Sequence, residues 1–133
     1  MSGYSDVQAV TITADTVALD ADGISVAASV GNNAALTIGG ALASGGAVAL
    51  SHGRIVTILS AGNDAAKSFT VTGTDVNGDA QTESITGANA GTATGTKFFK
   101  TISGISAVGN PAGNVSAGVN ASAADVIFAG RSR

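Results

Sequence analysis

The side chains best suited to acid–base catalysis in this 133-residue sequence are its one glutamate, Glu83, and its one histidine, His52. Glu83 lies in a β-forming run whose alternation places it on the same face of a strand pair as Phe69 and Val71. A catalytic carboxylate needs a second acid or base, and the sequence offers none near it. We therefore predict an inward-pointing charge that protects a sheet edge or pairs with a lysine such as Lys67.

His52 directly follows Ser51, so the two residues have the types of a general base and a nucleophile. The sharp Gly-x-Ser-x-Gly turn that exposes a catalytic serine is absent around them. The sequence therefore predicts a surface histidine, or one with satisfied hydrogen bonds, and no catalytic residues.

Two stretches have part of the pattern of a ligand site. Asp15, Asp20 and Asp22 could offer oxygens to Ca²⁺, but they lack the alternating run and the distal Glu of a calcium loop. Residues 91–97, GTATGTK, are one residue short of a phosphate loop and precede a predicted strand instead of a helix. The absence of cysteine and the single histidine exclude Cys-type zinc sites and multi-histidine metal sites. The sequence predicts no metal and no cofactor.

The composition is low in charge and rich in small residues. Charged residues make up 11% of the chain and the net charge is -3, so there is no basic field to attract nucleic acid. Glycines, His52 and Arg54 interrupt the apolar stretch at residues 34–59, and no membrane span is predicted. With 19 glycines and no Trp, the chain has a thin core, which favours further stabilisation by association.

The strongest local signal is residues 67–87, where two β-forming runs flank the turn sequence DVNGD. Phe69 and Ile85 both have odd numbers, and opposed residues of an antiparallel pair share a face. A two-residue loop would put Ile85 on the opposite face. We therefore predict a three-residue loop at residues 76–78, a type I turn closed by Gly78 in the left-handed region.

A second hairpin is predicted in residues 16–29, with a two-residue type I′ turn at Asp22-Gly23 and a bulge or break near Asp15-Thr16. Further turns are predicted at residues 31–33 and 110–111, a loop at residues 87–95, and a bend at Gly104. Other strands are predicted at residues 7–14, 36–42, 47–51, 54–60, 96–108, 114–119 and 125–129.

Strand 54–60 has few polar breaks, which favours a central position in the sheet. About nine short strands between Gly and Asn turns predict an all-β single domain over residues 1–133, a β-sandwich or jelly-roll-like fold.

The region from residue 54 to 119 carries a more specific pattern, in the segments SFTVTGTDVNG, QTESITG, GTKFFKTISGIS and GNVSAGV. These segments resemble a module of small virion structural proteins of tailed bacteriophages, mostly predicted structural or head decoration proteins. Residues 1–53 contribute little to the resemblance. It implies an assembly role, an all-β fold and no catalytic residues, and it assigns no binding residue.

The leading hypothesis is a non-enzymatic capsid decoration (cement) protein on the capsid exterior of a virion. Its partners would be the phage major capsid protein and further copies of itself in a trimer, with no nucleic acid and no membrane. The alternatives are a phage tail or fibre component and an Ig-like surface or carbohydrate-binding module. The last is disfavoured because sugar platforms use exposed Trp and Tyr, and this chain has no Trp and only Tyr4.

Residues 1–8 and 130–133 are predicted as possible assembly arms. Arg131 and Arg133 would supply the cations for an acidic patch on the partner.

Overall fold

A computed structural model describes residues 20–120, which form one compact unit. This part of the chain contains strands and no helix, so the all-β class predicted from the sequence is confirmed. Residues 20–120 accordingly contain no helical segment that could cross a membrane. The strands are β1 (Asp20–Ala28), β2 (Ala43–Ser44), β3 (Ala47–Ser60), β4 (Ser68–Thr74), β5 (Ala80–Thr86), β6 (Thr92–Val108) and β7 (Val115–Val119).

The strands form one antiparallel sheet in the order β1-β7-β3-β6-β4-β5, with β2 paired to β3. The two long strands, β3 and β6, lie side by side at its centre and have 14 and 17 residues. The predicted strand 54–60 is part of β3 and has the central position expected of it. It is continuous with the predicted strand 47–51.

The described residues form one hydrophobic core, to which strands from both ends of the sheet contribute side chains. Ile24 of β1, Phe99 of β6 and Phe69 of β4 are each 0% exposed. Burying such a side chain stabilises the fold by roughly 1.5–3 kcal/mol. The thin core expected from the composition therefore has few large residues, and its two phenylalanines are fully buried.

The β4–β5 hairpin confirms the predicted shared face of Phe69 and Ile85 and the predicted loop length. Phe69 pairs with Ile85, and both are buried. Asp75 N donates to Asp79 O at 2.9 Å and Gly78 N to Asp75 O at 3.1 Å, so the loop has three residues. Gly78 has φ +89°, in the left-handed region, as predicted for a G1 bulge.

The second predicted hairpin is wrong in the described part of the chain. β1 runs without interruption through Asp22-Gly23, and Gly23 has no positive φ. The absence of a side chain at Gly23 instead lets Leu42 pack closely against β1, because a Cβ on Gly23 would lie 2.8 Å from the Leu42 side chain. The strand pairs instead with the distant β7, with Ser25 opposite Ala117.

A two-residue turn does occur, but at Gly45-Gly46. These glycines have φ +64° and +84°, and they join β2 to β3 with Ser44 opposite Ala47. The predicted strand 36–42 is also wrong, since this segment is irregular. Leu36 N donates to Ile105 O of β6, whereas Gly39 and Gly40 donate to Ile24 O of β1, so the segment bridges two strands and extends neither.

Three other features lie close to their predicted positions. Ala34 N donates to Gly31 O at 3.2 Å and closes the turn at residues 31–33. β7 covers most of the predicted strand 114–119, and a register shift opposite Thr72 and Gly73 places a bulge next to Gly104. The predicted loop 87–95 is too long, because pairing with β3 draws residues 92–95 into β6.

The predicted strands 7–14 and 125–129, the break near Asp15-Thr16 and the arms at 1–8 and 130–133 lie outside the described residues.

Candidate functional site

Glu83 lies on the core side of the edge strand β5, opposite Val71 and on the face predicted for it. Its side chain is 9% exposed. The carboxylate accepts three hydrogen bonds from β6, from Thr96 N at 2.6 Å, Thr96 Oγ1 at 3.0 Å and Lys97 N at 3.2 Å. These contacts, and not the alternative ion pair with Lys67, hold the buried charge.

The geometry of β6 explains why these donors are available. From Ile55 to Thr57 β3 advances two residues, whereas β6 advances four, from Phe98 back to Thr94. The two additional residues form a bulge whose N–H groups leave the ladder, and the Glu83 carboxylate takes the place of the missing acceptors. Gly95 leaves room for it, since a Cβ there would lie 2.7 Å from Glu83 Oε1.

Two more hydrogen bonds join β5 to the same part of β6. Gln81 Nε2 donates to Phe98 O at 2.7 Å, and Lys97 Nζ donates to Thr82 O at 2.9 Å. β5 has no ladder with β6, because β4 lies between them in the sheet order. The sheet therefore curls until its edge strand meets the first half of β6, and Glu83 is the main polar connection there. The GTATGTK segment, residues 91–97, therefore contributes to strand β6 and its bulge.

Ser51 and His52 lie in a second irregularity, on β3. From Ala49 to Arg54 β3 advances five residues, while β6 advances two, from Thr101 to Phe99. Ser51 is exposed and His52 is half-buried. The two residues are consecutive in a bulged strand, which is not the strand-to-helix turn that presents a nucleophile.

The acidic residues of the described chain do not form a metal site. In residues 20–120 no group of three or more His, Cys, Asp or Glu side chains is arranged to hold an ion. Asp20 Oδ1 accepts from Asp22 N at 3.4 Å, a local contact within β1, and Asp15 lies outside the described residues.

Asp64 is a buried carboxylate that sequence reasoning missed. It is 0% exposed, and its Oδ1 accepts from Ala112 N at 2.7 Å, which joins the β3–β4 connection to the β6–β7 connection. Its Oδ2 is buried and has no hydrogen-bond partner. In the sequence Asp64 follows Asn63 in a polar turn, and no local signal distinguishes it from an exposed turn residue.

Arg54 is a second buried charge whose role was not foreseen. It is 4% exposed, and its Nε and Nη2 both donate to the main-chain oxygen of Asn120. Asn120 N donates in turn to Ile55 O at 2.9 Å. The guanidinium therefore fixes the end of β7 against β3.

Within residues 20–120, two exposed apolar side chains from different elements lie near each other, and we call them the Val76–Phe98 patch. Val76, at the tip of the β4–β5 hairpin, is 59% exposed, and Phe98, on β6, is 48% exposed. Both lie over Gly53, where a Cβ would be 2.5 Å from Val76 Cγ1 and 3.2 Å from Phe98 Cβ. Contiguous exposed apolar residues can mark an interaction surface.

Comparison with protein-family models, curated proteins and solved structures gives no match for this chain. In the described part of the chain, the buried charges contact main-chain groups at bulges and loops, and the Val76–Phe98 patch is among the exposed apolar surfaces.

Proposed function

We propose that this chain is a non-enzymatic virion structural protein of a tailed bacteriophage, a decoration protein that cements the capsid shell from outside. The proposal rests first on the resemblance of residues 54–119 to phage virion proteins. The four segments that carry the resemblance correspond to strands β4 to β7 and their turns. β4, β5 and β6 are neighbours in the sheet, whereas β3 separates β7 from them, and both residues of the Val76–Phe98 patch belong to these segments.

The observation that carries the proposal is the Val76–Phe98 patch. A hairpin turn needs no apolar residue at its tip, because Asp75 and Gly78 already supply the hydrogen bonds and the positive φ of this turn. An exposed valine and an exposed phenylalanine that both lie next to Gly53 are better explained by a surface that becomes covered in an assembly.

A cement protein stabilises a shell by bridging neighbouring subunits of the major capsid protein. Each contact can be weak, because several contacts engaged together raise the overall affinity by orders of magnitude. A small, low-charge β domain with a few exposed apolar residues suits this role as a homo-oligomer, which we expect to be a trimer.

The test is to locate the chain in particles of the virus that encodes it. Mass spectrometry of purified virions should find the protein in a copy number comparable to that of the capsid subunits. Cryo-electron microscopy should place it on the outside of the shell, and particles lacking it should lose their genome at a lower temperature. Density in the tail would support the alternative of a tail or fibre component, and absence from purified particles would overturn the virion assignment altogether.

A further inference from the structure

The tip of the β4–β5 hairpin contains Asn77, the only asparagine in the sequence that is followed by glycine. Asn77 is exposed, and its hydrogen bond to Asp75 Oδ1 at 2.8 Å uses the main-chain N–H and not the side-chain amide. A Cβ on Gly78 would meet nothing within 4 Å, so the peptide bond between Asn77 and Gly78 lies in open space. A glycine at this position leaves the main-chain nitrogen unhindered when it approaches the amide carbon of the preceding asparagine.

We propose that Asn77 is a site of spontaneous deamidation, and that the folded hairpin tip controls when it reacts. The Gly78 nitrogen gives its proton to hydroxide and bonds to Asn77 Cγ, while the side-chain nitrogen takes up a proton and leaves as ammonia. Water then opens the succinimide ring. Attack at Cγ gives aspartate, whereas attack at the main-chain carbonyl carbon gives isoaspartate, in which the chain runs through Cβ and Cγ. In both cases one amide and one water become one carboxylate and ammonia.

The folded turn restrains the attacking nitrogen. Gly78 N donates to Asp75 O at 3.1 Å, so its proton and its direction are both engaged by the main chain. Asp75 Oδ1 fixes the same turn by accepting from the N–H groups of Asn77 and Asp79. These bonds must break before Gly78 N can turn toward Asn77 Cγ. Local opening of an exposed turn requires less free energy than global unfolding, so the rate of deamidation reports how often the tip opens.

Isoaspartate prevents the tip from closing again. The turn requires a fixed number of main-chain atoms between Asp75 and Asp79, because Asp75 N donates to Asp79 O at 2.9 Å across it. An additional main-chain carbon at residue 77 changes that number, and the three-residue loop with its left-handed Gly78 no longer fits. The change also alters the backbone next to Val76. The site does not depend on the proposed role in a virion, since the reaction concerns the chain alone.

The experiment follows deamidation of the purified full-length chain by peptide mass spectrometry, in buffer and in urea that unfolds it. An isoaspartyl methyltransferase assay distinguishes isoaspartate from aspartate. We expect Asn77 to react at least about tenfold more slowly in the folded chain, because its turn bonds must open first. Asn89 is the internal control, since it is also exposed but precedes Ala90, and in urea it should react more slowly than Asn77.

Two variants separate control by the fold from the chemistry. Asp75→Ala removes the side-chain acceptor that fixes the tip. It should speed deamidation of Asn77 in the folded chain and leave the rate in urea nearly unchanged, and circular dichroism checks that it is folded. Asn77→Asp carries the charge of the product on an ordinary main chain. Its urea midpoint should lie closer to that of the wild type than the midpoint of material enriched in isoaspartate does.

The site assignment is wrong if Asn77 does not deamidate in urea, or reacts there no faster than Asn89. Equal rates at Asn77 in the folded and unfolded wild type, or an unchanged folded-state rate in Asp75→Ala, would overturn control by the tip. An Asn77→Asp variant as unstable as the isoaspartate material would show that the added charge, and not the altered main chain, disrupts the turn.

Discussion

Replacing Glu83 tests whether its carboxylate holds the β6 bulge. Glu83→Ala removes the acceptor of two main-chain N–H groups, those of Thr96 and Lys97, and of the Thr96 hydroxyl. An unsatisfied buried donor costs roughly 1–3 kcal/mol, and a hydrogen bond to a charged group contributes a similar amount. Thr96 and Lys97 are themselves exposed, so water can reach part of the bulge and the low end of that range applies to each group.

The expected loss in the free energy of unfolding for Glu83→Ala is therefore about 2–4 kcal/mol. Glu83→Gln should lose about half as much, because the amide keeps one acceptor oxygen but turns a donor toward one of the N–H groups. Ser84→Ala, on the exposed face of the same strand, is the matched control and should stay within about 0.5 kcal/mol of the wild type.

The assay is urea unfolding followed by far-ultraviolet circular dichroism, because the chain has no tryptophan to report by fluorescence. Protein concentration is held constant, since self-association would raise the apparent stability. Amide hydrogen exchange at Thr96 and Lys97 gives a local readout and should accelerate in Glu83→Ala before global unfolding does. An alanine variant as stable as the Ser84→Ala control, with unchanged exchange at both amides, would refute the capping role.

Three further predictions use the same unfolding assay. Gly78→Val should destabilise the protein by about 1 kcal/mol or more, since Gly78 has φ +89° and a β-branched residue disfavours that region. Gly104→Val is the control and should change the free energy of unfolding little, because a Cβ there also meets nothing within 4 Å and φ is not positive. An equal loss in both variants would contradict the strained turn. Asp64→Ala should lose about 2–4 kcal/mol because the Ala112 N–H loses its acceptor and a cavity forms. Asp64→Asn, which removes the buried charge and keeps an acceptor, should be less destabilising by about 1 kcal/mol, and equal losses would show that the charge is immaterial. Gly73→Ala should lower the urea midpoint by an amount equivalent to at least about 2 kcal/mol, because the new Cβ would lie 1.9 Å from Thr101 O. A midpoint equal to that of the wild type would mean that β4 and β6 can move apart at little cost.

The sequence predicted the β4–β5 hairpin down to its loop length because all the information is local. The pairing of Phe69 with Ile85 and the left-handed Gly78 follow from alternation and turn chemistry within a few residues. The same reasoning failed at Asp22-Gly23, where the partner of the strand is β7, about a hundred residues away in the chain. A local rule cannot distinguish a turn glycine from one that allows another segment to approach.

The face of Glu83 could be predicted, but its partners could not. Alternation fixes the direction of the side chain, whereas the acceptor role depends on a bulge in β6 that arises only when β6 pairs with β3. Asp64 and Arg54 were missed for the same reason, because each contacts a main-chain group distant in sequence. The Val76–Phe98 patch likewise joins a turn residue to a strand residue through Gly53, and no sequence spacing reveals that contact.

The position of β7 determines when the sheet can be completed during synthesis. β7 is the last strand of the described chain, yet it lies between β1 and β3, which are made first. Until the ribosome has released residues 115–119, β1 has no ladder neighbour and one edge of β3 is open. The domain must therefore close after most of it has been translated, and its unpaired strand edges remain available to other nascent chains in the meantime.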